Sequence, residues 1–203
     1  MTALALLAAY LIGGLPLGLL LCLAWKGVDP REFGSGNIGA TNISRILGPA
    51  GGVLVFLLDV GKGYLAVLAA RMIAGPAAGP WLPILAAVCA LVGNNWPVWL
   101  KFKGGKGSSI SLGIGLAVAP LIALLAFAVW IATLLLTRWV SVASILAVLS
   151  APLWALLTSN AQSRIPLLTF TCGVAALVIY KHRANIGRLR QGTEPKFTFK
   201  KEA

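Results

Sequence analysis

Acidic side chains are scarce in this sequence: 203 residues hold 5 Asp and Glu against 17 Lys and Arg, with a single histidine. That inventory offers no constellation for a metal. Cysteine is sparse too. Cys22, Cys89 and Cys172 lie far apart within apolar runs, show no ligand spacing or pairing logic, and read as buried structural thiols. Charge of either sign makes up 11% of the chain, where a soluble domain carries about 25%. With 59% hydrophobic residues, a soluble fold of this size has nowhere to hide its apolar surface, whereas a bilayer does. The N-terminus has no basic n-region, and its apolar run is too long for a cleaved signal. It reads as a first transmembrane segment of one membrane domain covering residues 1–203.

Net charge is +12. Nucleic acid is not the expected partner, because no basic helix or aromatic-interleaved sheet is available. The basic residues fall instead in short clusters between apolar runs. Lys26, Arg31, Arg188, Arg190, Lys200 and Lys201 follow the positive-inside pattern, while others lie in or beside Gly-rich loops.

A helix needs about 20 apolar residues to cross the hydrocarbon core. Residues 2–25, 50–74, 81–100, 139–158 and 165–181 qualify. The run 107–136, broken by Gly113, Gly115 and Pro120, crosses once steeply or twice as two short helices. Charge asymmetry favours two crossings that bend near Pro120. Then Arg138 and the tail share the inner side with Lys26 and KFKGGKG, and only Arg71 and Arg164 lie at outer ends. The expected fold is an all-α polytopic membrane protein of about seven transmembrane helices, N-terminus outside and C-terminus cytoplasmic. Trp25, Trp81, Trp96, Trp99 and Trp139 fall at span ends as an aromatic belt, and Gly14 and Gly18 form a small-xxx-small pair.

Four inner loops carry polar chemistry. GSGNIGATN at 34–42 alternates Gly34, Gly36 and Gly39 with Ser35, Asn37, Thr41 and Asn42, and Arg45 follows about a turn into the next helix. Such a loop can turn backbone N–H groups toward an anion, and Arg45 can clamp phosphate bidentately. An ordinary interhelical turn explains the glycines but not the polar residues and arginine. KFKGGKG at 101–107 resembles a P-loop in composition, without its spacing. Here Gly104, Gly105 and Gly107 are expected to present backbone donors, with Lys103 and Lys106 supplying charge. A positive-inside anchor needs the lysines but not the glycine pair.

RWVSVAS at 138–144 places Ser141 and Ser144 one turn apart on one helix face, where capping or interhelical hydrogen bonding explains them equally well. KHRANIGRLRQGTEP at 181–195 holds the single histidine, His182, with Asn185 at i+3. Taken alone, His182 is as readily an interfacial helix-end residue. Asp59 and Lys62 form an i,i+3 pair inside a span, where mutual pairing suffices to explain them.

GSGNIGATN with Arg45, FKGGKG, RWVSVAS, and HRANIGRL with GTEP stand in this order across nearly the whole chain. Together they resemble the bacterial acyl-phosphate:glycerol-3-phosphate acyltransferase family. The resemblance implies acyl transfer from acyl phosphate to the 1-hydroxyl of sn-glycerol 3-phosphate, giving lysophosphatidic acid and phosphate, the committed step of phospholipid synthesis. It maps Ser35 and Arg45 to an essential pair, Lys103, Gly104, Gly105 and Lys106 to a glycerol-phosphate loop, His182 and Asn185 to a third motif, and Glu194 to a structural glutamate. It also implies a cytoplasmic-membrane location, membrane lipids as surroundings, and an upstream enzyme that forms acyl phosphate. One departure stands out: the family usually has Gly-His ahead of the proline before FKGGKG, whereas this chain has Gly93-Asn94-Asn95-Trp96-Pro97. An Asn keeps a hydrogen bond there but cannot titrate. A transporter for small anions is the rival reading of basic loops and broken helices, though the chain shows no repeat and little outer charge. A lipid-binding structural protein would leave both Gly-rich loops unexplained.

Overall fold

The structure is a computed structural model that describes residues 1–198, so Lys200 and Lys201 lie outside the described residues. Its regular elements there are all helical: α1 (Thr2–Gly13), α2 (Leu17–Lys26), α3 (Ala40–Ala74), α4 (Leu82–Asn95), α5 (Ser108–Val118), α6 (Pro120–Thr137), α7 (Val140–Thr158), α8 (Ala161–Lys181) and α9 (Arg183–Arg190). Six segments are long and apolar enough to cross a membrane, with α1 and α2 counted together as Thr2–Lys26 and α4 extended to Leu100. Helix α5 is a shorter, seventh apolar segment. Leucines on α1, α3, α6 and α7 stay exposed, as lipid-facing side chains do in a bilayer.

Proline and glycine set the breaks. The run 107–136 divides at Ala119, whose φ of −148° and ψ of 74° are not helical, and Pro120 opens α6 at the position where a missing N–H costs nothing. The expected bend near Pro120 is therefore present. Eleven residues of α5 rise only about 16 Å, so it is the shorter of the two helices expected from this run and the seventh apolar segment of the bundle. The first span, expected as one helix, is two. Pro16 interrupts it between α1 and α2. In α3, Gly48 sits at φ 78° and ψ 176° ahead of Pro49, so Ala40–Leu47 forms a separate short limb.

The Gly14/Gly18 pair does not act as one packing stripe, because the Pro16 break separates the two residues. A Cβ on Gly13 would fall 2.2 Å from Ala90 O, and one on Gly93 would fall 2.1 Å from Tyr10 O, so these glycines seat α1 on α4. Gly18 instead receives the first loop: a Cβ there would lie 2.1 Å from Ile38 O. Similarly, Gly113 lets α5 approach the Val60 carbonyl of α3. The α6 helix packs on α7, and α7 on α8. Between α3 and α6, the rings of Phe56, Phe127 and Trp130 stack at 5.7–6.1 Å. Trp25, Trp81 and Trp99 are exposed as belt residues, whereas Trp96 and Trp139 turn inward to bind Lys181 and the tail.

Candidate active site

One cavity of about 890 Å³ joins all four predicted loops. Its polar end holds Ser35, Asn37, Thr41, Arg45, Lys106, Ser141, His182 and Asn185, and its other end is an apolar throat between α3, α5, α6, α7 and α8. Along α7 the lining residues Ser141, Ser144, Val148 and Ala151 form one face. The throat therefore follows that helix for about three turns, roughly 15 Å.

The first loop is built from Asn42, which is 2% exposed. Its Oδ1 accepts from Ser35 N at 2.9 Å, and its Nδ2 donates to Pro30 O and Phe33 O. Gly34 is required twice over, by its φ of 56° and because a Cβ would fall 2.5 Å from Asn42 Oδ1. Gly36 N donates to Phe33 O, and Gly39 N donates to Asn37 Oδ1. The expectation that this loop aims its backbone donors at an anion is thus corrected for Ser35, Gly36 and Gly39, whose N–H groups are spent inside the loop. Gly36 does not line the cavity, and Asn42 serves as the loop's organiser. The side chains of Ser35, Asn37, Thr41 and Arg45 face the cavity instead.

The second loop shows the same economy. Gly104 N donates to Asn95 O and Gly105 N to Asn94 O. A Cβ on Gly104 would meet Asn94 O at 2.2 Å, so that glycine serves close packing. Lys103 is exposed and, like Gly104, does not line the cavity. The donors that do reach it belong to the start of α5. There Gly107, at φ 88°, is an N-cap with no side-chain cap, which leaves the first-turn amides for a ligand. Lys106 stands beside them. Burial, with Arg188, Arg45 and Lys181 nearby, lowers its pKa to about 8 against the opposing pull of Glu194.

Glu194 organises the third and fourth loops. Its Oε1 accepts from Ser141 Oγ and Asn185 Nδ2, each at 2.6 Å, and its Oε2 pairs with Arg188 Nε at 2.7 Å. Desolvation works against the charged carboxylate, but these donors win and lower its pKa. Trp139 Nε1 adds a bond to Glu194 O. Asn185 Oδ1 is buried with no partner among the described residues, leaving an acceptor at the cavity wall. His182, 3% exposed, lies where α8 passes into α9. Its Nδ1 is 2.8 Å from Val178 O, a group that only accepts, so Nδ1 carries the proton and Nε2 is left as an acceptor. Burial pushes its pKa down to about 4, and the ring is neutral at pH 7.

Charge bookkeeping within the cavity is simple. Four cations and two carboxylates line it among the described residues: Arg45, Lys62, Lys106, Arg188, Asp59 and Glu194. Lys62 pairs with Asp59 at 2.7 Å and Arg188 with Glu194, which leaves Arg45 and Lys106 uncompensated. Ser144 accepts from Trp130 Nε1 at 3.3 Å, the interhelical option for that serine. Among the described residues no group of three His, Cys, Asp or Glu gathers to hold a metal.

Lys181 supplies a function that its sequence context hides, since it reads there only as one more basic residue at a span end. Its Nζ donates to Asn95 O at 2.9 Å and lies 4.9 Å from the Trp96 ring. Asn95 O is the carbonyl that also receives Gly104 N. Lys181 therefore pins the platform under the glycine pair, a contact across 86 residues that no local pattern reveals.

A broken-helix bundle that encloses a cavity with a cationic polar end and an apolar throat defines a polytopic membrane protein with a built internal site. The comparisons with known proteins are specific about which. The family model described as glycerol-3-phosphate acyltransferase matches residues 3–192, and the chain belongs to that family of acyltransferases. A glycerol-3-phosphate acyltransferase of Desulforamulus reducens is 45% identical over 202 residues, covering 98% of this chain and 97% of that protein. Another from Synechococcus elongatus is 43% identical, covering 96% and 93%. The crystal structure of PlsY, an integral membrane glycerol 3-phosphate acyltransferase, in its glycerol 3-phosphate form aligns with a TM-score of 0.87 at 40% identity, covering 97% of this chain and 96% of that one. Its lysophosphatidic acid form aligns at 0.85.

Proposed function

We propose that this chain transfers a fatty acyl group from acyl phosphate to the 1-hydroxyl of sn-glycerol 3-phosphate, giving lysophosphatidic acid and inorganic phosphate. The observation that carries this reading is the pair of uncompensated cations, Arg45 and Lys106, in a cavity that continues as an apolar throat. Two cations suit two phosphates, and the throat suits one acyl chain. The acyl phosphate is a mixed anhydride and already activated, so its phosphate leaves without help from a cofactor.

In this mechanism Arg45 and Ser35 address the acyl phosphate, while Lys106 and the amides at the start of α5 hold the glycerol phosphate. The 1-hydroxyl is directed toward His182 Nε2 and Asn185 Oδ1, two acceptors of the polar end with no partner among the described residues. Its oxygen attacks the acyl carbon, the ester C–O bond forms, and the C–O bond to phosphate breaks. A histidine with a pKa of about 4 is a poor proton acceptor at neutral pH, so the departing phosphate takes the hydroxyl proton. Rate enhancement then comes from positioning and from donors placed for developing oxyanion charge.

The site faces the cytoplasm of a bacterial inner membrane, with the N-terminus outside and the C-terminus inside. Lys26, Lys101, Lys103 and the α9 arginines fall in the segments that alternate with those holding only Arg71 and Arg164, and the positive-inside rule supports this orientation. An enzyme that forms acyl phosphate acts upstream and supplies the donor. Purified protein in detergent, given acyl phosphate and glycerol 3-phosphate, is the test. Product formed without a second compartment excludes pure transport, and activity with acyl-CoA in place of acyl phosphate would overturn the donor assignment. A thiol placed at Ala78 should react with an external label and one at Gly192 should not.

A further inference from the structure

Mutual pairing explains why Asp59 and Lys62 can lie buried in the middle of α3, but it does not explain where the rest of the ammonium goes. Lys62 Nζ, 2.7 Å from Asp59 Oδ1, also donates to Leu15 O at 2.9 Å. Leu15 stands at the break between α1 and α2. Pro16, at φ −87° and ψ 62°, makes an inverse γ-turn in which Leu17 N donates to the same Leu15 carbonyl at 3.0 Å. The carbonyl is thus already satisfied by its own chain, and Lys62 adds a charge-assisted bond on its second lone pair. Capping need does not call for that bond; holding the break in one geometry does.

What the break carries is the first loop. Gly18, in the first turn of α2, lies against Ile38 O so closely that a Cβ would fall 2.1 Å away, and Ile38 sits three residues beyond Ser35. The sequence of contacts runs from Lys62 to Leu15, through the start of α2 to Gly18, and on to the loop that holds Ser35. Asp59, Lys62, Leu17 and Gly18 all line the cavity beneath that loop. We infer that Lys62 is a positioning residue for the first loop, acting through the Pro16 break, with Asp59 fixing its ammonium. The inference rests on the acyl-transfer reading only for its assay.

Two neutral double variants separate this from a purely structural ion pair. Asp59→Asn/Lys62→Met removes both charges, so no unpaired charge is buried, and leaves no donor at position 62. Asp59→Asn/Lys62→Gln is equally neutral but retains an N–H for Leu15 O. The expected result is a 10- to 100-fold lower kcat for the Met variant, with KM for glycerol 3-phosphate within about 2-fold of wild type, because a displaced Ser35 spoils geometry more than binding. The Gln variant should recover kcat at least several-fold over the Met variant at a similar melting temperature. Equal turnover in the two variants would overturn the proposal, as would near-wild-type kcat in the Met variant. Failure of both to fold would assign the pair to folding and sink the positioning role. If the donor proves to be acyl-CoA, the acyl-phosphate reading fails while the same comparison, run with that donor, still decides this one.

Discussion

Asn185 Nδ2 and Ser141 Oγ converge on one oxygen, Glu194 Oε1, each at 2.6 Å, so a residue of the C-terminal tail sets the position of two cavity side chains. Removing that carboxylate strands two buried donors and unpairs Arg188. Glu194→Ala should destabilise the protein on the order of 3 kcal/mol, read as a clear fall in melting temperature in detergent. Turnover should drop with it, since Asn185 loses its orientation. Glu194→Gln should fall between, because its carbonyl can serve Asn185 or Ser141 but its amide carries no charge for Arg188. An unchanged melting temperature in Glu194→Ala would contradict the organising role.

Ser35 and Arg45 act, in the proposed mechanism, on charge that shifts during transfer. Donors of that kind affect turnover by about 10²–10³ when removed. Ser35→Ala and Arg45→Ala should lose activity on that scale while keeping their elution profile and melting temperature. Arg45→Lys should recover little, because a point ammonium lacks the guanidinium fork. Near-normal turnover in both alanine variants would shift the chemistry to Lys106 and His182.

Much of the fold was legible because a bilayer imposes a strong rule on length and charge. The Pro120 bend followed from where Arg138 and the tail had to lie, and α5 and α6 divide there. The Pro16 break was not legible, because hydropathy registers apolar side chains and is blind to a backbone turn inside an uncharged run. The candidate loops were legible as clusters of residue types, and the structure gathers Ser35, Arg45, Lys106, Ser141, His182 and Asn185 round one cavity. Which atoms face it was not. Glycines at 36, 39, 104 and 105 look like anion donors in sequence, but their N–H groups are consumed by Phe33, Asn37, Asn95 and Asn94. Lys103 differs from Lys106 only by the path of the loop, and the contact of Lys181 with Asn95 has no local signature.

His182 offers a pH test of stability and of mechanism together. Its pKa is lowered from 6.5 to about 4 by burial, so the unfolded chain binds more protons between those values. Its contribution is fully present above about pH 6.5 and lost as pH falls toward 4, a change of roughly 3 kcal/mol. The melting temperature should fall on acidification, and His182→Gln should flatten that fall. Glu194 adds a loss of its own only as pH drops below its ordinary 4.5. If His182 only orients the hydroxyl, the variant's pH–rate profile between about 5.5 and 7.5 should keep the wild-type shape at reduced height. A limb within that window in wild type alone, which requires bound phosphate to raise the pKa above about 4, would make His182 the titrating base.

Lys106 titrates on the other side of neutrality, and the sign of its effect is opposite. Burial disfavours its charged form and brings its pKa down to about 8. The protonated form is the one that attracts phosphate, so affinity for glycerol 3-phosphate should hold below about pH 8 and decline above it. A bound phosphate restores the charge and raises the pKa. The decline therefore belongs to kcat/KM, which reports free enzyme, and should be much weaker in kcat. Lys106→Ala should erase the alkaline limb of kcat/KM and raise KM by about 10- to 150-fold, the worth of one charge-assisted hydrogen bond. Lys103→Ala, at an exposed lysine off the cavity, should leave both the limb and KM within about 2-fold of wild type. An alkaline limb that survives in Lys106→Ala and vanishes in Lys103→Ala would reverse the assignment of the two lysines and place the glycerol phosphate outside the cavity.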